Sequence, residues 1–264
     1  MIDDSLLGPA FPEAGWVPAP RYLMRRARIL DLARTLAPGR LLEIGPGAGV
    51  LLTEFARRGF ECEALELSPA ARALCAQVFA QRGTSVRLHD HVSAELEGRF
   101  DHMFAFEVLE HIEDDVAALR QWASWLKPGG HLLLSVPAHM RLWTARDTWA
   151  GHVRRYARDE LAARLREGGF EVEAFDCYGF PLTNLSEWVS APIFARQIHA
   201  GDDAAQARQA NNDRSGIDRR ADVRLFPLVR SLPGKLALKT AFAVQDRFLR
   251  TDLGSGYIVK ARRA

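Results

Sequence analysis

Three side chains able to move protons or hold a cation stand close together at Glu107, Glu110 and His111. If Val108 starts a helical turn, their i, i+3 and i+4 spacing puts all three on one face. Two carboxylates and an imidazole form a mixed oxygen and nitrogen set able to hold a divalent cation once a fourth ligand joins. Further histidines fall at His89, at His139 in Ser135-Val136-Pro137-Ala138-His139, and at His152 in Gly151-His152-Val153-Arg154-Arg155-Tyr156. A neutral imidazole near pH 7 is a natural base for an alcohol or phenol nucleophile. His152, His139 and His111 are therefore the catalytic candidates, against the plainer role of hydrogen-bonding a loop. Arg154 and Arg155 could grip an anion by forked hydrogen bonds; the favoured reading is a solvated loop face or a salt bridge to Asp147 or Asp159. Trp143, Trp149, Phe180 and Trp188 suit an acceptor pocket or plain core equally.

Such groups act together only if the backbone brings them to one edge. Leu41-Leu42-Glu43-Ile44 reads as a buried strand running into Gly45-Pro46-Gly47-Ala48-Gly49, with a helical pattern from Val50. Glycine at alternate positions lets the backbone take positive φ and lie bare against a ligand, and the turn opens onto a helix N-terminus. A dinucleotide fingerprint would need a third glycine where Val50 stands. Further strands are expected at about 60–67, 84–88, 100–106 and 131–136, alternating with helices at about 21–36, 50–58, 69–82 and 114–126. Alternation of this kind predicts an α/β fold, a parallel sheet with helices on both faces. Right-handed crossovers then put every strand's carboxyl end on one side. Those ends carry Glu43 to Gly49, Glu66, Asp90, Glu107 and Pro137 to His139, so polar or glycine-rich residues meet at one edge, where open α/β sheets bind ligands.

The 264 residues suit one sizeable domain, or one domain plus a subdomain. A net charge of +2 gives no support to a polyanion-binding role. Cys62, Cys75 and Cys177 form no paired motif, which argues for free thiols in a reducing compartment. With no basic leader and no run of the roughly 18–20 apolar residues that spanning a bilayer requires, the expectation is a cytoplasmic protein.

The motifs resemble the class I S-adenosylmethionine-dependent methyltransferases, over about residues 25–178. The resemblance rests on Glu43-x-Gly45-x-Gly47-x-Gly49, Glu66 and Asp90 at the next two strand ends, Phe106-Glu107-Val108-Leu109-Glu110-His111-Ile112-Glu113-Asp114, and Leu126-Lys127-Pro128-Gly129-Gly130 before the fifth strand. It implies a seven-stranded, mostly parallel sheet in the order 3-2-1-4-5-7-6 with strand 7 antiparallel. It also implies S-adenosylmethionine as cofactor. Gly45, Gly47 and Gly49 would lie along its methionine and ribose portions, with Glu43 near its amino group, Glu66 on the ribose hydroxyls, Asp90 at the adenine amino group and Glu107 on cofactor or substrate. A turn without a phosphate-loop lysine fits a cofactor that has a sulfonium and no phosphate. Glu107, Glu110 and His111 are similar to the metal set of ubiquinone-pathway catechol O-methyltransferases and RNA 3′-terminal 2′-O-methyltransferases. His152 matches the histidine that completes the site in the RNA enzymes, although a Leu-Glu-His turn is also common in metal-free members.

The expected organisation is an irregular lead-in over 1–20, a methyltransferase domain over 21–178 and 254–264, and a mostly helical insertion over 179–253. The insertion is expected to serve as a lid or dimer element, ahead of contact with a lipid-like acceptor or a membrane surface. Its polar stretch 201–224 is expected to be a flexible loop. The function expected is methyl transfer to a small-molecule acceptor, with oxygen preferred because several candidate bases surround the site. N-methylation, metal-assisted RNA 2′-O-methylation and a non-catalytic cofactor-binding module are the alternatives, with nucleic acid disfavoured by the charge and a homodimer left open.

Overall fold

The computed structural model describes residues 1–197, 217 and 219–264. A short antiparallel hairpin, β1 (Ile2–Asp4) and β2 (Gly8–Ala10), precedes α1 (Pro20–Leu32). The main sheet is built from β3 (Arg40–Ile44), β4 (Glu61–Leu65), β5 (Arg87–His89), β6 (Phe100–Phe106), β7 (Leu126–Pro137), β8 (Phe170–Tyr178) and β9 (Gly256–Arg263). Its order is β5-β4-β3-β6-β7-β9-β8, with β9 antiparallel to both neighbours and the other pairings parallel. This is the predicted 3-2-1-4-5-7-6 sheet. The connections are α2 (Val50–Ala56), α3 (Pro69–Arg82), α4 (Asp115–Trp125), α5 (Ala145–Ala150) and α6 (Arg158–Glu167); α7 (Leu182–Gln197), α8 (Arg220–Arg230) and α9 (Leu232–Phe248) lie between β8 and β9.

Alternate side chains of each central strand feed separate cores. Leu41, Phe104, Leu133 and Ile258 join Phe55 and Phe60 in one, while Leu42, Met103, Leu132 and Val259 join Trp122 and Trp125 in the other. Burial on both faces explains why the strands read as apolar runs rather than as alternating ones. With both faces covered, the polar groups concentrate at the strand ends.

Residues 1–20 are more ordered than an irregular lead-in. Besides the β1–β2 hairpin, Phe11 and Trp16 form a bridge, and Leu7, Ala10 and Val17 are buried with Leu23, Phe226 and Leu238 in a third core. This core joins the N-terminus to α8 and α9. The expected loop over 201–224 overlaps α8 from Arg220 onward; its portion through 216 lies outside the described residues.

Candidate active site

Two cavities open at the carboxyl edge of β3 and share Gly45, Gly47, Glu107 and His111 as walls. One, of about 630 Å3, runs past Leu65, Glu66, Val108, Ile112 and Trp122 and is also lined by Ile217. That volume falls within the range of small-molecule sites, about 300–1,000 Å3. The other, of about 150 Å3, is bounded by Arg21, Glu43, Arg146, Trp149, His152 and Arg219. Two compartments joined at a glycine turn can hold a long cofactor beside a second reactant.

The turn does two jobs. Gly47 takes a φ of 59° and lines both cavities, and its N–H donates to Glu66 Oε2 at 3.2 Å. The other Glu66 oxygen accepts from the Ser68 N–H at 3.0 Å, so the carboxylate is fixed against the larger cavity. Gly49 has a different role from the ligand approach expected of it. It lines neither cavity, and a Cβ there would lie 2.6 Å from the Phe79 ring. Packing of α2 on α3, together with a φ of 66°, requires that glycine. Gly49→Ala should therefore destabilise the fold by about 1–3 kcal/mol, read as a lower midpoint in urea unfolding.

Glu43 is buried in β3 and lines the smaller cavity, and its Oε2 has no hydrogen-bond partner among the described residues. Burial pushes its pKa up to about 8, against the opposing charge of Arg25. Between its ordinary value of 4.5 and about 8 the folded chain holds a proton that the unfolded chain has lost, so this group lowers stability as pH rises through that window. A ligand ammonium beside it would favour the carboxylate and expel the proton. S-adenosylhomocysteine affinity should thus increase from pH 6 to about 8 with proton release. Titration calorimetry in buffers of different ionisation enthalpy checks this, and Glu43→Gln should flatten the dependence.

Glu107 occupies a strained position, a non-glycine residue with φ 59°. Three donors and an ion pair hold it there: Arg21, Ser135 Oγ at 3.0 Å and Tyr178 Oη at 3.1 Å donate, and Arg25 pairs with it at 3.2 Å. Burial would raise its pKa, but Arg21 and then Arg25 outweigh it and hold the carboxyl well below the usual range. These arginines lie four residues apart on α1, where no sequence motif marked them. Their spacing was the only available signal.

Of the four residues of the metal alternative, Glu107 is thus taken up by Arg21 and Arg25. The remaining members converge: Glu110, His111 and His152 each offer a ligand atom within 4.8 Å of the others. Glu110 is fully buried, both its oxygens lack a hydrogen bond among the described residues, and burial followed by the charge of Glu107 pushes its pKa well up. His152 Nδ1 sits 2.9 Å from Asp147 Oδ1, and its Nε2 lies 3.8 Å from Glu110. Asp147 is in turn gripped by Arg155 at 2.7 and 2.8 Å. Burial opposes ionisation of Asp147, but the hydrogen bonds from His152 and Arg155 hold its carboxyl well below the usual range. Arg155 is 1% exposed, so the predicted ion pair is a buried support for the His152 loop.

Other candidates lie elsewhere. His139, at φ 61°, lines neither cavity and stands against Tyr257, near Cys177 and Asp252. His89 pairs with Glu63 at 2.6 Å inside the sheet. Asp90 is exposed, lies 2.6 Å from His91 Nδ1 and is absent from the cavity walls. Of the aromatic candidates only Trp149 faces a cavity, and Trp188 is 76% exposed. Arg146 is a cavity residue that the motifs did not reveal: among the described residues its guanidinium has no ion pair, and burial followed by Arg21 lowers its pKa to about 10.

A seven-stranded sheet of this order, with a glycine turn and a fixed carboxylate at adjacent strand ends, defines a cofactor-binding α/β domain. Residues 19–174 match the family model described as "Methyltransferase domain". A ubiquinone biosynthesis O-methyltransferase of Xanthomonas euvesicatoria is 36% identical over 155 residues, which span 52% of this chain and 65% of that protein. Its namesake in Xanthomonas axonopodis is 33% identical over 173 residues, 58% of this chain and 72% of that one. The fold is shared with an S-adenosylmethionine-dependent methyltransferase of Mesorhizobium loti (TM-score 0.53, 15% identity, 93% and 98% of the two chains). It is shared too with the [4+2]-cyclase SpnF (TM-score 0.52, 20% identity, 92% and 81%). The chain belongs to the methyltransferase domain family, within the class I S-adenosylmethionine-dependent methyltransferases.

Proposed function

We propose that this protein transfers a methyl group from S-adenosylmethionine to the hydroxyl oxygen of a small-molecule acceptor. The cofactor's fit rests on the unpartnered Oε2 of buried Glu43, a place for its ammonium, and on Glu66 along the larger cavity, a place for a diol, since a carboxylate accepts at two oxygens. Arg25, whose Nε is buried without a partner among the described residues, suits the cofactor carboxylate. S-adenosylmethionine supplies an electrophilic methyl when bound. Asp90 would reach the adenine amino group only after leaving His91.

The observation that carries the oxygen preference is His152, buttressed by a buried Asp147 and facing the smaller cavity. With Nδ1–H donated to Asp147, Nε2, which lies 3.8 Å from Glu110, is the nitrogen left to take a hydroxyl proton. The relatives named for O-methylation support the same choice. Arg146 and Arg219 add positive charge to that cavity wall and favour an acceptor with an anionic substituent. The test is transfer of labelled methyl from S-adenosylmethionine to pooled phenols and alcohols. O-methyl products are expected, whereas label found only on amines would overturn the oxygen assignment.

A second reading follows from the convergence of Glu110, His111 and His152, with both Glu110 oxygens lacking a hydrogen bond among the described residues: a divalent cation held there would polarise the acceptor oxygen. On this reading chelation should abolish turnover and an added divalent metal should restore it. Undiminished turnover in metal-free protein would leave His152 as the base.

A further inference from the structure

The helical insertion turns an apolar, cationic corner toward solvent. On α8 and α9, Leu225, Leu228, Leu232 and Leu236 follow one another at intervals of three and four residues and are 61%, 67%, 86% and 67% exposed. Their neighbours Phe226 and Leu238 are buried in the third core against Leu7, Val17 and Leu23, so the inner face of the helix pair is already satisfied. The turn between the helices is tight. Ser231 caps α9 by accepting from the Gly234 N–H at 3.2 Å, and a Cβ on Gly234 would stand 2.3 Å from the Leu228 carbonyl oxygen. The leucines are thus displayed by a rigid corner. A soluble surface gains nothing from a leucine series of this kind, which marks an interaction site.

Charge identifies the occupant. Between Asp222 and Asp246 the chain carries Arg224, Arg230, Lys235 and Lys239 and no acidic residue, in a protein whose net charge is only +2. Lys235 is tied to Asp4, while Arg224, Arg230 and Lys239 are exposed and have no carboxylate partner among the described residues. Exposed leucines flanked by cations that have no carboxylate partner among the described residues are the combination that lies in the interface of an anionic bilayer, apolar side chains among the acyl chains and cations at the headgroups. No helix among the described residues is long and apolar enough to cross a membrane, so the contact is with its surface. We propose that the α8–α9 corner docks this protein on anionic lipid bilayers. The inference is independent of which acceptor is methylated, because the corner's exposed residues line neither cavity.

Vesicle co-sedimentation of the full chain tests it. With phosphatidylglycerol and phosphatidylcholine in roughly equal parts, binding should be at least about tenfold tighter than with phosphatidylcholine alone, and should weaken as salt rises. Arg224→Gln with Arg230→Gln should remove about tenfold or more on the anionic vesicles only. Leu232→Ser with Leu236→Ser should weaken binding by about tenfold or more, with S-adenosylhomocysteine affinity and the melting temperature unchanged; Leu225→Ser with Leu228→Ser is the second pair should the first fail to fold. Absence of wild-type binding to the anionic vesicles would overturn the proposal. So would binding indifferent to the arginines, or a wild-type dimer that the leucine changes split while no vesicle binding is seen, which would assign the corner to a second copy of the chain.

Discussion

Replacing Glu107 by alanine is expected to lower stability by about 3–5 kcal/mol, the cost of leaving buried charges without their partner. Two guanidinium groups, Arg21 and Arg25, meet this one carboxylate, and Ser135 and Tyr178 donate to it as well. Arg21 retains Glu187, but no other acid pairs with Arg25 among the described residues. The backbone provides an internal control. A residue at φ 59° is strained unless it is glycine, so Glu107→Gly should recover about 1 kcal/mol of the alanine loss. Urea unfolding measures both. Equal loss in the two variants would mean that the backbone strain is negligible, and a loss below about 1 kcal/mol in either would place the arginines' stability elsewhere.

The second large effect is kinetic. His152→Ala should reduce kcat by about 10²–10⁴-fold while leaving S-adenosylhomocysteine affinity within about twofold, an expected difference of less than about 0.5 kcal/mol. The separation follows from role: His152 shares the smaller cavity with Glu43 and Arg25 but is held by Asp147 to act on the acceptor, while Glu66 anchors the cofactor from the larger cavity. A merely structural histidine would instead lower stability and leave kcat of the folded fraction unchanged. Asp147→Asn should show a smaller kcat loss together with a stability loss, since Asp147 pairs with Arg155 as well as with His152.

These expectations rest unevenly on what the chain reveals. The alternation of strands and helices and the carboxyl-edge cluster were legible because they follow from local patterns: apolar runs, glycine at Gly45 and Gly47, and Pro-Gly breaks; the strand order came only from the family resemblance. Glu66 was legible for the same reason, as an acid ending a strand. His139 misled because the backbone after Pro137 turns through φ 61° and carries the imidazole to Tyr257 and away from the cavities. Asp90 sits at the correct strand end, yet its side chain pairs with a neighbour on the surface. Gly49 had the right residue type for a different reason, the approach of Phe79. Arg21, Arg25 and Arg146 gave no motif because their partners are brought in by tertiary packing: Glu107 lies 86 residues along the chain from Arg21 and four fewer from Arg25, and Arg146, without an ion pair among the described residues, stands 5.6 Å from the centre of the Phe194 ring. The hairpin in the first 20 residues was hidden because three-residue strands are too short to show alternation.

The N-terminal segment and the insertion also depend on each other. Leu7, Val17 and Leu23 pack with Phe226 and Leu238, and Gln245 donates to the Met24 carbonyl while accepting from the Gly179 N–H. α1, which supplies Arg21 and Arg25, is therefore held between the sheet and the insertion. Ile217 and Arg219 then reach the cavities. Removing residues 201–222 should consequently affect cofactor binding as well as the acceptor, a wider effect than a lid over the acceptor alone would give.

The central claim is that the cleft at the end of β3 holds S-adenosylmethionine, with Glu66 on its diol. Isothermal titration of S-adenosylhomocysteine into the wild type and the Glu66→Ala variant tests it directly. The account predicts saturable one-to-one binding that Glu66→Ala weakens by about 1–3 kcal/mol, the cost of stranding hydrogen-bonding groups. No binding to the folded wild type, or equal affinity in the two proteins, would contradict it.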